Sequence, residues 1–127
     1  MAHVVMPGHI GTSIALNSTA AHGGPDHAPI RKALAERGAD VDQMSDADLT
    51  ELVTARGERF RDDAPTSAAE AASIILETVR AKQWRILVGE DAAAIDQLVR
   101  EDPEFAYEPE FLSRIIDRGH LNIFEAR

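Results

Sequence analysis

The chain has 127 residues, enough for one domain with a buried core that needs no disulfide or metal. It contains no cysteine, which excludes a disulfide scaffold, a thiolate zinc site and a thiol nucleophile. The formal net charge of −9 argues against a nucleic-acid partner or an anionic membrane surface. Because no apolar run approaches the ~18 residues of a membrane span and no signal-peptide pattern is present, we expect a cytoplasmic protein.

A strand is predicted in the first thirty residues, which carry one charged side chain, Asp26. Residues 3–6, His-Val-Val-Met, form a short apolar run that stops at Pro7 and Gly8. This pattern predicts a buried strand that ends in a tight turn.

The connection over residues 13–64 shows no strand pattern. Residues 30–36 predict a short helix, and residues 45–60 predict a longer one with Asp46 and Asp48 in its first turn, where the helix dipole favours anions. Simple links take about 2–6 residues, so a connection of this length is usually functional. We therefore expect a lid or binding segment here.

The next predicted helix is the best defined in the chain. Ser67, with Glu70 three residues later, forms a capping box that begins a helix over residues 67–82. Residues 84–88, Trp-Arg-Ile-Leu-Val, predict a second strand, and Trp84 is expected in the core or at an oligomer contact.

Two further helices follow the second predicted strand. Asp91 is suited to cap the N-terminus of a helix over residues 92–100. Pro109 occupies a favoured first-turn position for a last helix that ends near Gly119.

The order strand, helix, strand predicts a parallel pair of strands in an α/β fold. Parallel strands occur in larger sheets that are covered on both faces, and two strands do not make such a sheet. The sequence therefore predicts the end of a fold that is incomplete on its own.

Residues 7–12, Pro-Gly-His-Ile-Gly-Thr, carry the clearest chemical signal. They lie just past the carboxyl end of the predicted parallel strand, where open α/β sheets bind ligands. Gly8 allows a close backbone turn, and the main chain at Ile10 and the Thr12 hydroxyl suit a planar amide. The alternative is a plain Pro-Gly turn after which Thr12 or Ser13 caps a helix.

This segment resembles the motif after the sixth strand of short-chain dehydrogenases/reductases, in which a Pro-Gly, an aliphatic residue and a Thr contact the nicotinamide carboxamide. Two more features are similar to the C-terminal half of that family. A long substrate-covering insertion leads to a helix with an alanine-rich entry, and a last strand ends in Val88 and Gly89 before Asp91. The resemblance covers about residues 3–109.

The resemblance implies the C-terminal portion of a Rossmann-type doubly wound parallel sheet, with two strands and about four to six helices. The chain would be a single segment of three parts: strand and cofactor turn (1–12), substrate lid (13–64) and helix-strand-helices (65–127).

The implied cofactor is NAD or NADP, which the complete fold would bind. The implied partners are a small-molecule substrate in the complete fold and either further copies of the chain, as a homo-oligomer, or a missing N-terminal half. The positions carried over from the family as cofactor-contacting are Pro7, Gly8, Ile10 and Thr12.

The chain departs from the family at its catalytic and phosphate-binding motifs. Its eight glycines form no dinucleotide fingerprint, and no Tyr-x-x-x-Lys is present. Tyr107 is the only tyrosine, and Lys32 and Lys82 are the only lysines. The chain therefore lacks the general acid/base for hydride transfer and most of the residues that would bind the cofactor. We assign no catalytic residue and expect the isolated chain to be inactive.

Two other functions remain open. A non-catalytic module derived from the same fold would act through protein contacts at an unpaired strand edge. A metal-dependent enzyme would use His22, Asp26 and His27, whose spacing matches no established metal-binding pattern, so no metal ligand is assigned.

Overall fold

A computed structural model describes residues 1–121. Within them the fold is mixed α/β, with six α-helices and two parallel sheets of two strands each. The strands are β1 (Val4–Pro7), β2 (Ile10–Gly11), β3 (Thr66–Ser67) and β4 (Arg85–Val88). The helices are α1 (Ile14–Ala21), α2 (His27–Glu36), α3 (Asp46–Asp62), α4 (Ala68–Arg80), α5 (Glu90–Glu101) and α6 (Phe111–Asp117). Short 3-10 helices occupy Val41–Gln43 and Phe105–Tyr107.

The chain divides into two compact units. The first, here called the strand unit, consists of Met1–Gly11 and Ala64–Arg127 and contains all four described strands. The second, here called the helical unit, consists of Thr12–Asp63 and contains α1, α2 and α3.

The predicted parallel pair is present in the strand unit. β1 runs parallel to β4, from Val4 opposite Arg85 to Pro7 opposite Val88. The Val4 N–H donates to the Trp84 carbonyl at 2.7 Å, and the His3 Nδ1 donates to the Gln83 carbonyl at 2.6 Å. α4 is the last element of the connection between the two strands and leads directly into β4.

The core of the strand unit lies on β4 rather than on β1. Ile86 and Val88 alternate along β4, are almost fully buried, and pack with Ala71 of α4. The prediction of a buried first strand is wrong: Val4 is 49% exposed and Val5 is 40% exposed. β1 pairs with β4 alone among the described strands, so its other edge has no strand partner there.

Trp84, which directly precedes β4, is also exposed, with 61% of its surface in solvent. Its expected place in the core is therefore wrong, and its expected role at an oligomer contact stays a prediction.

The second parallel sheet was not expected from the sequence. β2 pairs with β3 through two residues on each strand, Ile10 opposite Thr66 and Gly11 opposite Ser67. A strand of two residues is too short to show a hydrophobic period in the sequence. In the structure this pair brings the chain after β1 next to the start of α4.

The start of α4 confirms its predicted capping box. The Ser67 hydroxyl accepts the Glu70 N–H at 3.2 Å, and the Glu70 carboxylate accepts the Ser67 N–H at 2.9 Å. The two later helices begin elsewhere than predicted. α5 begins at Glu90 with Gly89 as its N-cap, and α6 begins at Phe111, after a 3-10 turn, rather than at Pro109.

The helices of the helical unit carry polar contacts at their ends. Ser45 and Asp48 form a second reciprocal capping box at the start of α3, where the sequence places acidic residues. Arg31 of α2 donates to the Asp46 carboxylate at 2.8 Å. Leu49 is the buried apolar side chain of this unit among the described residues.

Candidate functional site

The candidate site lies where β1 and β4 end. Because the strands are parallel, their carboxyl ends meet at one edge of the sheet, the edge at which such sheets bind ligands. The Gly8 N–H donates to the Val88 carbonyl at 2.9 Å, so the pairing continues one residue past β1. The turn after β1, residues 7–9, is thereby held beside the turn after β4, residues 89–91.

Asp91 joins the two turns. Its side chain is buried, with 2% of the residue exposed. One carboxylate oxygen, Oδ2, accepts the backbone N–H of His9, and Oδ1 accepts the backbone N–H of Ala92 at 2.9 Å. The N-cap role predicted for Asp91 is wrong because Gly89 occupies that position, which leaves the carboxylate in the first helical turn and within reach of His9.

Glycine is required on both sides of this carboxylate. A Cβ at Gly8 would overlap the carboxylate atoms of Asp91. Gly89 has φ of +101°, a conformation that other residues rarely adopt, and a Cβ there would lie 3.1 Å from the Thr66 hydroxyl oxygen. The two backbones and the carboxylate therefore pack at distances that no side chain tolerates.

The structure places the four predicted cofactor residues in different surroundings. Pro7 is exposed at the end of β1, Gly8 is half-buried in the turn, and Ile10 is half-buried against the core around Ile86. Thr12 is half-buried and belongs to the helical unit. In the plain-turn alternative Ser13 would cap α1; Ser13 holds the N-cap position but its side chain makes no capping bond.

A groove with a volume of about 630 Å³ opens in the strand unit between the first turns of α4 and α5. Its lining is mostly apolar and shares Thr66 and Gly89 with the candidate site, but it includes none of the four predicted cofactor residues. The sequence offers no signal for this groove, because residues distant in the chain form it. The lining residues are Pro65, Thr66, Ala69, Glu70, Ser73, Ile74, Gly89, Glu90 and Ala93.

Two carboxylates near the site, those of Asp96 and Glu70, accept hydrogen bonds from neighbouring groups. Asp96 of α5 accepts Arg85 of β4 and, at 3.0 Å, the Nε of Arg100, which attaches α5 to the sheet. On the groove, hydrogen bonds from the Ser67 side chain and backbone lower the pKa of the Glu70 carboxyl. Tyr107, the only tyrosine, is 90% exposed.

The histidines considered for metal binding have separate local contacts in the helical unit. The His22 Nδ1 donates to the Ser18 carbonyl at 2.7 Å, and the His27 Nε2 lies 2.9 Å from the Thr50 hydroxyl. Among residues 1–121, no group of three or more His, Asp or Glu side chains is close enough to hold a metal ion.

Comparison with known proteins gave no relatives: no family model, curated protein or solved structure matches the chain. In the part that the structure describes, no helix is both long and apolar enough to cross a membrane.

Proposed function

We propose that the chain is the C-terminal part of an NAD(P)-dependent oxidoreductase similar to short-chain dehydrogenases/reductases. The reaction would be hydride transfer between nicotinamide and an alcohol/ketone pair, and the isolated 127 residues would not catalyse it. The observation that carries the proposal is the glycine turn after β1, held against β4 at the carboxyl edge of a parallel pair.

This turn has the properties that nicotinamide binding needs from this part of a fold. It lies at the edge where parallel sheets bind ligands, and the absence of a Gly8 side chain lets the Asp91 carboxylate pack against the turn and hold it. Pro7 is exposed at the same edge. The resemblance assigns the Thr12 hydroxyl to the carboxamide, a planar group that both donates and accepts hydrogen bonds.

The open edge of β1 supports a larger sheet. The Val4 and Gly8 N–H groups donate to the carbonyls of Trp84 and Val88, so the backbone groups of Val5, between them, point to the opposite edge. That edge has no strand partner among residues 1–121. A two-stranded parallel pair with an exposed flank is less stable than the covered sheets in which parallel strands occur.

The chain's own contribution in this proposal is orientation of the nicotinamide. The cofactor supplies the hydride chemistry, and the protein positions the reacting carbon. We assign no general acid in the candidate turn: the Asp91 carboxylate already accepts two backbone N–H groups, and the buried His9 is given no catalytic role. In this proposal the general acid/base and the residues that bind the cofactor phosphates belong to the rest of the fold.

The test uses the polypeptide as it occurs in its source cells, purified with an antibody and titrated with NAD⁺, NADP⁺ and ADP-ribose. Thr12→Ala, introduced in the gene, removes a hydroxyl that the proposal places on the carboxamide. We expect about a 2- to 10-fold loss of affinity for the nicotinamide nucleotide and none for ADP-ribose.

Thr54→Ala is the matched control, because the Thr54 hydroxyl donates to the Thr50 carbonyl of its own helix at 2.9 Å. It should leave both affinities unchanged. A wild-type polypeptide that binds neither nicotinamide nucleotide would contradict the proposal.

The exposed flank of the strand unit favours a second candidate, a non-catalytic interaction or oligomerisation module. Val4, Val5 and Trp84 are exposed apolar side chains beside an unpaired strand edge that carries no charge to discourage pairing. An obligate dimer in sedimentation experiments, without nucleotide binding, would favour this candidate. A monomer that binds nucleotide would exclude it.

A further inference from the structure

Asp91 is a buried carboxylate that the proposed function does not use. Among residues 1–121 it is the one buried acidic residue, with 2% of its surface exposed. Removing a carboxylate from water is costly unless hydrogen bonds compensate it. An acidic residue that served only at the start of an exposed helix would not need to be buried.

The contacts of Asp91 go beyond those of a helix end. The bond from the Ala92 N–H stays within the first turn of α5, and an exposed Asp or Ser could make its equivalent. The bond from the His9 N–H spans 82 positions of sequence and reaches the turn after β1. The carboxylate also occupies the space that a side chain at Gly8 would need.

We propose that Asp91 is a positioning residue for the nicotinamide: its carboxylate fixes the backbone of residues 7–9 and so sets where the carboxamide binds. This inference rests on the proposed function. Asp91 itself makes no contact with the cofactor in this arrangement, because both carboxylate oxygens already face protein N–H groups.

Two substitutions at Asp91 separate its bonds. Asp91→Ala removes both acceptors. Asp91→Asn keeps the shape but retains at most one bond, since the amide nitrogen would face one of the two N–H donors. The effects should therefore be graded, with wild type strongest, Asn intermediate and Ala weakest.

The control is Asp96→Asn, in the same helix. Asp96 attaches α5 to β4 through Arg85 but does not contact the turn after β1 in any described bond. A loss that comes only from loosening α5 should appear in both the Asp91 and the Asp96 variants.

The first measurement is amide hydrogen exchange of the 127-residue chain by NMR. Asp91→Ala should speed exchange of the His9 amide by about 10- to 100-fold relative to the β4 amides, because the N–H loses a charged acceptor. Asp91→Asn should lie between, and Asp96→Asn should leave this ratio unchanged. An unchanged ratio in both Asp91 variants would overturn the inference.

The second measurement is nucleotide binding by the polypeptide from source cells. Asp91→Asn should lower affinity for the nicotinamide nucleotide by about tenfold and leave ADP-ribose affinity unchanged, whereas a purely structural defect would lower both. Equal losses of affinity for the two ligands, or no loss, would overturn this inference and leave the proposed function standing. If the wild-type polypeptide binds no nucleotide, the proposed function fails and this role of Asp91 fails with it, whatever the exchange experiment shows about the bond to His9.

Discussion

The strand unit and the helical unit are stabilised differently. Six of the seven buried apolar residues among residues 1–121 lie in the strand unit. Leu49 is the one in the helical unit. The strand unit is therefore held by a core, and a turn packed against such a core can be held within narrow limits.

The helical unit has one buried apolar side chain among the described residues and carries exposed polar contacts at its helix ends. Ser45 caps α3, and hydrogen bonds from Ser45 lower the pKa of the Asp48 carboxyl. The Arg31 guanidinium lowers the pKa of Asp46, and Arg61 lowers that of Asp62. Such exposed contacts contribute little each, so segments that depend on them open at lower free energy than a packed core.

The largest effect should come from the core of the strand unit. Ile86 is 1% exposed, and Ile86→Ala should lower the free energy of unfolding by about 2–5 kcal/mol because it leaves a cavity. Leu76→Ala, at a position that is 53% exposed on α4, should cost less than about 0.5 kcal/mol. Urea denaturation measures both, and similar losses would contradict a core on β4.

A pair of glycine substitutions sharpens the comparison. Gly8→Ala should destabilise by about 1–3 kcal/mol because its methyl group overlaps the Asp91 carboxylate, and the cost should shrink in the Asp91→Ala background. Gly57→Ala, inside α3, meets the side chain of Leu16, and the helix propensity of alanine offsets that contact. Its net effect on thermal stability should lie within about 1 kcal/mol of zero. A larger loss at Gly57 than at Gly8 would reverse the contrast between the units.

Capping serines provide the next test. Ser45→Ala should cost about 1 kcal/mol, because its hydroxyl accepts the Asp48 N–H at the start of α3. Ser13 also holds an N-cap position in the helical unit but makes no side-chain capping bond, so Ser13→Ala should be near neutral. Circular dichroism during thermal unfolding compares the two variants, and equal losses would show that the cap contributes nothing specific.

The smallest effect should be a dependence on acid. Because the folded state lowers the pKa values of Asp46, Asp48 and Asp62, their contribution is present above about pH 4 and is lost as the pH falls through the folded-state values. One carboxyl of the strand unit, Glu70, shows the same direction of shift. The protection factors of the α3 amides, which are corrected for the intrinsic exchange rate at each pH, should therefore fall in acid before those of the β4 amides, and Arg31→Gln should weaken this dependence. Earlier loss of protection in β4 would contradict it.

Local sequence patterns predicted the elements whose causes are local. The capping box of Ser67 and Glu70 is confirmed because both partners lie within four residues of each other. The two main strands and their parallel pairing are confirmed because apolar runs and an intervening helix leave one common topology.

Features that depend on distant residues could not be predicted. The sequence suggests a cap at Asp91, whereas its bond to His9 exists only after β1 and β4 pair. The prediction that β1 is buried was wrong, because the apolar character of a strand does not show whether neighbouring elements cover it. The cofactor role of residues 7–12 came from resemblance to a family and stays a prediction.

The most direct test of the proposed oxidoreductase is the intact mass of this polypeptide in its source cells. We expect a species about twice the present mass of 13.8 kDa or more, since a complete α/β fold of this type needs a further sheet half. A species of 13.8 kDa alone would contradict dehydrogenase activity for the chain, and the exposed edge of β1 would then direct the search to a binding partner.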